Sequence, residues 1–303
     1  MLQFTEIASG LQFPEGPVAM PDGSVLLVEI RRGTLSRVLP GGRVEVVAEP
    51  GGGPNGAAIG PDGRCYICNN GGFEWTEVNG DWYPGHQAAD YAGGRIEAVD
   101  LQTGAVQTLY THCGGEPLKG PNDIVFDRHG GFYFTDLGKS RHRDMDHGGV
   151  YYARADGSLI RELLFPLATP NGIGLSPAGD RLYVALTTTC RLLGYDVVAP
   201  GEIRKVTDGE AMLAGCANFQ MFDSLAVDGA GNICVATLIN GGITIIPPEG
   251  GTPRHVPVPD PMTTNICFGG ADLRTAYITA SMSGRLLACE WETPGLALNF
   301  PQR

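Results

Sequence analysis

Residues 54–69 read PNGAAIGPDGRCYICN, in which a polar residue, a short apolar run, a Pro-Asp-Gly turn and a second apolar run follow one another. An Asp-Gly pair between two apolar runs is a strong signal for a tight turn that joins two antiparallel strands. The segment therefore predicts a strand, a turn and a second strand. Because the same order of residues recurs along the chain, this unit decides the fold.

The unit occurs six times, as PEGPVAMPDGSVLLVE (14–29), PNGAAIGPDGRCYICN (54–69), PNDIVFDRHGGFYFTD (121–136), PNGIGLSPAGDRLYVA (170–185), FDSLAVDGAGNICVAT (222–237) and TNICFGGADLRTAYIT (264–279). The second residue of each copy is polar, and we call these residues the openers: Glu15, Asn55, Asn122, Asn171, Asp223 and Asn265. Consecutive openers are 40 to 67 residues apart. A repeat of this length leaves room for two further strands, which is the pattern of a four-stranded propeller blade.

The predicted fold class is all-β, a six-bladed β-propeller with four-stranded antiparallel blades, in which residues 1–303 form a single domain. Residues 95–99 with 106–110 and residues 148–153 with 159–164 are predicted as the outer strand pairs of two blades. The sixth repeat is followed by only one further strand, at 285–290. We expect the N-terminal strand around Phe4 to Ala8 to complete that blade, because such a closure removes exposed sheet edges.

In a propeller, the first strand of each blade lines the central channel, so the openers should gather at one mouth of that channel. By the same topology, the loops 69–94, 136–149, 186–191, 238–242 and 280–284 should emerge beside them. The insertion 72–94 contains Phe73, Trp75, Trp82, Tyr83 and Tyr91. We expect it to form a lid or wall at this mouth, with Trp75 and Trp82 against the substrate. Packing of these rings on a neighbouring blade, or a subunit contact, is the alternative.

The composition excludes several classes of function. The formal net charge is −12 and no basic cluster is present, which argues against nucleic acid and anionic membranes as partners. No apolar run reaches the ~20 residues of a membrane span, and the N-terminus lacks the pattern of a secretory signal. Cys65 and Cys68 lie on a predicted strand whose alternation separates their thiols, which is poor zinc geometry. We therefore expect a cytoplasmic protein with reduced cysteines; the oligomeric state is not indicated.

The openers predict a metal site. Carboxylate and amide oxygens that converge on one axis suit a hard cation such as calcium, although zinc, magnesium or manganese could also bind them. Asn and Asp also cap strand starts and turns, but turn chemistry does not explain Glu15. Two carboxylates that face each other across a channel would repel without a cation between them.

The segments FPEGP (13–17), GPND (120–123), TPNG (169–172) and FDSL (222–225) resemble, in this order, the senescence marker protein / gluconolactonase / luciferin-regenerating enzyme-like family. The resemblance covers nearly the whole chain. It implies a six-bladed propeller with one catalytic divalent metal, in which Glu15, Asn171 and Asp223 are ligands. Asn122 matches a residue that contacts the metal or the substrate.

Members of that family are chiefly sugar lactonases, and a related branch hydrolyses organophosphates. Some members carry a basic residue just before the Asn122 position, where this chain has Gly120 and Pro121. Lys119 is the nearest substitute, so specificity for sugar acids is left open.

The expected function is therefore a metal-dependent hydrolase that opens a small lactone, with an aldonolactone as the leading substrate. Asp223 is the expected general base, and water activated by the metal itself is the alternative. Asn122 and Lys119 are expected to contact the substrate, as is His142 on loop 136–149, for which a solvated loop histidine is the alternative. The sequence contains no G-x-S-x-G, H-E-x-x-H or phosphate-loop motif. An organophosphate or aryl-ester hydrolase on the same site, or a non-catalytic metal-binding propeller, remain as alternatives.

Overall fold

A computed structural model describes residues 2–300 and confirms the six-bladed β-propeller. Each blade is one antiparallel sheet, and the blades are numbered in chain order from the innermost strand outward. Blade 1 contains Pro14–Ala19, Val25–Glu29, Thr34–Val38 and Val44–Ala48. Blade 2 contains Pro54–Ile59, Cys65–Asn69, Arg95–Val99 and Val106–Tyr110, and blade 3 contains Pro121–Phe126, Gly131–Asp136, Gly148–Arg154 and Ile160–Leu167.

The second half of the ring follows the same plan. Blade 4 contains Pro170–Leu175, Arg181–Leu186, Arg191–Ala199 and Met212–Gly215, and blade 5 contains Met221–Val227, Ile233–Leu238, Gly242–Ile246 and Arg254–Pro257. Blade 6 contains Thr263–Gly269, Thr275–Ala280, Arg285–Glu290 and the N-terminal strand Thr5–Ala8. The innermost strands of successive blades contact one another in a closed ring.

Blade 4 departs from the simple repeat. Between its third and fourth strands lie the short strand Glu202–Ile203, which pairs with the far end of Arg191–Ala199, and the one-turn helix Asp208–Ala211. The helix begins with a capping box in which Thr207 and Glu210 bond each other's backbone N–H. No helix among residues 2–300 has both the length and the apolar character needed to cross a bilayer.

Apolar side chains fill the space between neighbouring blades. Six buried clusters are present in the described residues, one at each blade-to-blade interface. The Cys65–Asn69 strand contributes to two of them, because Cys65 packs towards blade 1 and Cys68 towards blade 3. Their thiols thus point to opposite faces of the sheet, as the alternation predicts.

The predicted closure of the ring is confirmed. Thr5–Ala8 pairs antiparallel with Arg285–Glu290, so the outer strand of blade 6 comes from the other end of the chain. Ala8 and Leu286 then pack against Val25 and Leu27 of blade 1. The closing strand therefore contributes both to the edge of blade 6 and to the interface that completes the ring.

A charge in the closing strand should open this interface. We expect Ala8→Glu to lower the free energy of unfolding by ~3 kcal/mol, because the carboxylate would be buried without a partner. Denaturant unfolding of both proteins measures this difference. Thr5→Glu, on an exposed position of the same strand, is the control and should change stability by less than about 0.5 kcal/mol. Equal stability of the Ala8→Glu variant and the wild type would show that the closing strand contributes little.

Candidate functional site

The six openers lie on the innermost strands at one mouth of the channel, which we call the opener mouth. They are the second or third residue of each strand. In all six blades the pairing between the first and second strands is irregular at or next to the opener. Such bulges re-aim a side chain and bend the strand, and here they accompany polar residues of which five are buried.

Close approach of neighbouring innermost strands shapes the channel beside the openers. A Cβ added to Gly16 would lie 2.5 Å from the carbonyl oxygen of Asn55, and one added to Gly172 would lie 2.7 Å from that of Asp223. Only glycine fits these positions. In blade 3 the residue after the opener is instead Asp123, and its carboxylate enters the channel.

Asp123 is anchored by the neighbouring strands. One carboxylate oxygen accepts a hydrogen bond from the Ile124 N–H at 2.9 Å, and the other accepts one from the Ile173 N–H at 3.2 Å. Ser224 and the Leu225 N–H of blade 5 also donate to it. Asp123 therefore links blades 3, 4 and 5 at the level of the openers.

The predicted metal ligands come together around this carboxylate. Asn171 hydrogen-bonds the side chain of Asp223, and Ser224 Oγ donates to Asn171 Oδ1 at 3.3 Å. On the other side, Asn265 Nδ2 donates to Glu15 Oε2 at 2.7 Å. Five openers are buried, and Asp223 is the partly exposed one. Four openers thus form two hydrogen-bonded pairs, Asn171 with Asp223 and Asn265 with Glu15. We call the six openers together with Asp123 the polar cluster of this mouth.

The carboxylates of this cluster repel one another. Burial raises the pKa of Glu15 well above its usual range, and the charges of Asp223 and Asp123 raise it further. Burial likewise raises the pKa of Asp123 to about 7 and that of Asp223 to about 7, the latter with a contribution from Asp123. Among residues 2–300, the groups with the largest effects on these three pKa values include no cationic side chain.

Two buried acceptor atoms in the cluster lack a hydrogen-bond donor: Glu15 Oε1 and Asn122 Oδ1. Buried polar atoms are normally paired, so unpaired acceptors next to unpaired negative charge suit a hard cation. Within the described residues, no group of three or more His, Cys, Asp or Glu side chains could hold a metal ion by itself. A cation here would therefore need the carboxamides of Asn122 and Asn171 together with the carboxylates.

The segments that lead into the openers are fixed by the second strands. Asp136, the last residue of Gly131–Asp136, accepts hydrogen bonds from the N–H groups of Lys119 and Gly120, each at 2.7 Å. In blade 1, Glu29 accepts one from the Gln12 N–H at 2.7 Å. Lys119 is half-buried, and its carbonyl accepts a bond from the Tyr91 hydroxyl at 2.7 Å.

The insertion contains a separate hairpin, Phe73–Val78 with Asp81–Gln87. Trp75 packs edge-on against Phe13 with ring centroids 5.1 Å apart, and Phe13 lies two residues before Glu15. Trp82 stacks under the guanidinium of Arg31, which lies 3.9 Å from the ring centroid. The hairpin thus leans from blade 2 onto blade 1 at the opener mouth.

The other side of the hairpin contacts loop 136–149 of blade 3. The Gln87 N–H donates to the Ser140 carbonyl at 2.8 Å, and the rings of His86 and His142 lie 4.5 Å apart. His142 is 78% exposed, and its Nε2 lies 4.0 Å from the carboxylate of Glu74. His142 therefore contacts the hairpin, and the predicted contact with substrate stays a prediction.

Lys139 supports the base of the hairpin. Its Nζ donates to the Gly72 carbonyl at 2.6 Å and lies 4.1 Å from the centroid of the Phe73 ring. The side chain is buried. Burial lowers the pKa of Lys139 to about 7, against the opposing charges of Asp136 and Asp146.

Asp123 and Lys139 are the residues that reasoning from sequence missed. For Asp123 a signal was present, because the residue after the opener is glycine in blades 1, 2 and 4 but aspartate in blade 3. A charged residue where the repeat has glycine suggests a role other than packing. Lys139 carries no comparable signal, since its burial depends on the position of the hairpin.

A cavity lies in the channel between the openers and the opposite end, which we call the far mouth. It has a volume of about 460 Å³ and reaches Asp123 and Asn265 at its upper end. Its lower end is lined by the C-terminal segment 296–300. The walls are mainly apolar, so this cavity lacks the convergent polar groups of the opener mouth.

Comparison with known sequences gives consistent matches. The model of the SMP-30/Gluconolactonase/LRE-like region matches residues 13–282. A gluconolactonase of Zymomonas mobilis is 27% identical over 305 residues, which cover 91% of this chain and 78% of the relative. The lactonase drp35 of Staphylococcus saprophyticus is 30% identical over 253 residues, which cover 82% of this chain and 71% of the relative. The resemblance drawn from the sequence motifs is confirmed.

A solved structure supports the fold. The crystal structure of regucalcin from Agrobacterium tumefaciens, described as a calcium-binding protein, matches with a TM-score of 0.73. The match covers 97% of this chain and 94% of that chain at 19% sequence identity. At this identity the likeness concerns the fold.

The lowered pKa of Lys139 gives a prediction on stability. Between about pH 7 and pH 10 the unfolded chain holds a proton on this lysine that the native state has lost, so the penalty of burying the charge disappears as the pH rises. In this range the unfolding free energy of the wild type should therefore increase, relative to that of Lys139→Met, by about 1 kcal/mol for each pH unit.

Denaturant unfolding at several pH values measures this shift. Lys205→Met, at an exposed lysine, is the matched control and should show no such slope relative to wild type. A constant difference between wild type and Lys139→Met across this range would mean that Lys139 stays charged in the native protein.

Proposed function

This chain belongs to the SMP-30/gluconolactonase/LRE-like family, and from that premise we propose that it is a metal-dependent hydrolase that opens a small lactone. The observation that carries the proposal is the convergence of Glu15, Asn122, Asn171 and Asp223 at the opener mouth, with acceptor atoms that lack donors. The names of the relatives from Zymomonas mobilis and Staphylococcus saprophyticus support lactones as the substrate class.

Glu15, Asn171 and Asp223 would hold the cation, with Asn122 as a further ligand or a substrate contact. Because all the atoms that would coordinate the cation are oxygens, calcium is the proposed metal. The calcium-binding description of the regucalcin neighbour supports this choice. A divalent cation bound here would polarise the lactone carbonyl and stabilise the negative charge that develops on its oxygen.

Asp223, Asn122 and Glu15 have different proposed roles in the reaction. Asp223 is partly exposed, unlike the other openers, so water can reach its carboxylate, and it accepts the proton from the attacking water. Asn122 lies at the same mouth with an unpaired Oδ1 and orients the substrate through its amide. Glu15 is buried and held by Asn265, so it contributes charge and no proton transfer.

The substrate is proposed to lie between the openers and the hairpin of residues 73–87. Trp75, through its contact with Phe13, presents an aromatic wall near Glu15, and Trp82 and Lys119 are further proposed substrate contacts. Aromatic rings stack on sugar faces and also bind aryl groups. A sugar lactone is the leading substrate, and the same wall favours an aryl ester or a phosphotriester as the second candidate.

Hydrolysis assays test the proposed reaction. A panel of γ- and δ-lactones, an aryl ester and a phosphotriester is offered to metal-stripped protein before and after calcium is restored. We expect turnover of at least one lactone only with calcium. Asp223→Asn should lower kcat about 100-fold or more, because general-base catalysis contributes at least this much. Asp156→Asn, on an exposed turn away from the openers, should leave turnover unchanged.

The same samples test the metal site without reference to turnover. Calcium at about a hundred times its Kd should stabilise the wild type by about 3 kcal/mol by mass action, and Glu15→Gln should abolish most of this effect. If calcium stabilises the protein but no lactone is opened, the lactonase proposal fails while the metal site stands. If neither effect appears, both fail.

The role of the hairpin is tested by Trp75→Ala. We expect KM for the preferred substrate to rise about tenfold, equivalent to ~1.4 kcal/mol of lost contact, with kcat largely retained. Val78→Ala, at the exposed tip of the same hairpin, is the control. An unchanged KM with a lower melting temperature would show that Trp75 only packs the hairpin onto blade 1.

A further inference from the structure

Two cysteines face each other at the opener end of blade 4. The strands Arg191–Ala199 and Met212–Gly215 pair with Arg191 opposite Gly215. One step further, the Cys216 N–H donates to the Cys190 carbonyl at 3.1 Å, and the two thiols hydrogen-bond each other. Opposed residues of an antiparallel pair have Cα atoms about 4.5–5.5 Å apart, which lies within the span of a disulfide.

The surroundings make the two thiols unequal. Cys190 is buried, whereas Cys216 is partly exposed. The thiol of Cys190 lowers the pKa of Cys216 by hydrogen bonding, and the charge of Arg191 lowers it further. Arg191 is held over the pair, since its guanidinium donates to the Cys190 carbonyl at 3.1 Å. Cys216 is thus the accessible sulfur and Cys190 the protected one.

The backbone at Cys190 is already in an unusual conformation. Its φ is +47°, a region that residues with a Cβ adopt rarely and at a cost in free energy. A turn closes there, because the Cys190 N–H donates to the Thr187 carbonyl at 3.1 Å. This turn places Cys190 immediately before the strand Arg191–Ala199, opposite Cys216.

We propose that Cys190 and Cys216 form a redox-modification site that closes to a disulfide when the protein meets a hydroperoxide. The Cys216 thiolate attacks the peroxide oxygen and displaces an alcohol or water, which leaves a sulfenic acid. The Cys190 thiol then attacks that sulfur and releases water. In sum, two thiols and one hydroperoxide give one disulfide, one alcohol and one water, and a thiol reductant reverses the change.

The disulfide would join the turn that contacts the Asn171 segment to the segment that leads into Asp223. The turn at 187–190 holds Thr169, because the Thr187 N–H donates to the Thr169 carbonyl at 3.0 Å and the hydroxyls of Thr169 and Thr188 lie 2.8 Å apart. Thr169 precedes Asn171, and the chain after Cys216 leads to Asp223. This consequence rests on the proposed function, whereas formation of the disulfide does not.

Peptide mapping after oxidation tests the site. The full-length protein is treated with hydrogen peroxide at a small molar excess, the remaining thiols are alkylated, and the digest is analysed without reduction. We expect a linked peptide pair that contains Cys190 and Cys216 and disappears on reduction. In the untreated protein, iodoacetamide should modify Cys216 at least about tenfold faster than Cys190, because reactivity follows exposure and thiolate fraction.

Single cysteine variants show whether the link requires Cys216. Cys216→Ser, at the partly exposed position, should remove the linked pair, whereas Cys113→Ser, at another partly exposed cysteine, should leave it. The proposal is overturned if peroxide converts Cys216 to a sulfinic acid without a link to Cys190. It is equally overturned if either thiol links to a different cysteine in the wild type. Because mass is the readout, failure here is independent of whether any lactone is hydrolysed.

Discussion

The structure depends on how closely the innermost strands approach one another around the channel. At Gly16 and Gly172 the neighbouring blade leaves no space for a Cβ, so backbone packs against backbone at the level of the openers. This contact sets the channel width, and the bulges beside the openers accompany it. A side chain at these positions would push two blades apart and disperse the openers.

The narrow ring concentrates negative charge that the fold leaves uncompensated. Glu15, Asp123 and Asp223 are brought together in a region of low dielectric constant, where their mutual repulsion is strong. Hydrogen bonds from Asn265 and Ser224 offset part of this cost. This repulsion lowers the stability of the native protein, and such a local cost is typical of sites that bind a ligand of opposite charge.

Reasoning from sequence recovered the features that repeat. The blade count and the outer strands at 95–99 and 106–110 follow from a period that six copies express together. The closing strand follows from the one strand that the sixth blade lacks. Features present once were missed. The strand Glu202–Ile203 and the helix Asp208–Ala211 have no counterpart in other blades, so periodicity carries no information about them.

The candidate site likewise combines features that follow from the repeat with features that occur once. Gathering of the openers followed from topology, because equivalent positions of a propeller must meet at one mouth. Asp123 breaks the repeat at a position that glycine fills in three blades, and only the packing of neighbouring strands shows where its carboxylate points. The pair Cys190 and Cys216 depends on the register between Arg191–Ala199 and Met212–Gly215. The non-repeating segment 200–211 separates these strands, so the period of the repeat does not predict their register.

Access to the channel is unequal at its two ends, and this decides which end can exchange a substrate. At the far mouth, Asn299 Nδ2 donates to the Phe126 carbonyl at 2.9 Å, and the Phe300 ring packs edge-on against Phe126 at 5.8 Å. The Leu296 N–H also bonds the Val227 carbonyl, so the C-terminal segment is tied across blades 3 and 5. A small molecule would have to displace these contacts to enter from below. At the opener mouth, by contrast, Asp223 is partly exposed to solvent, so a small molecule can reach a predicted metal ligand from this side.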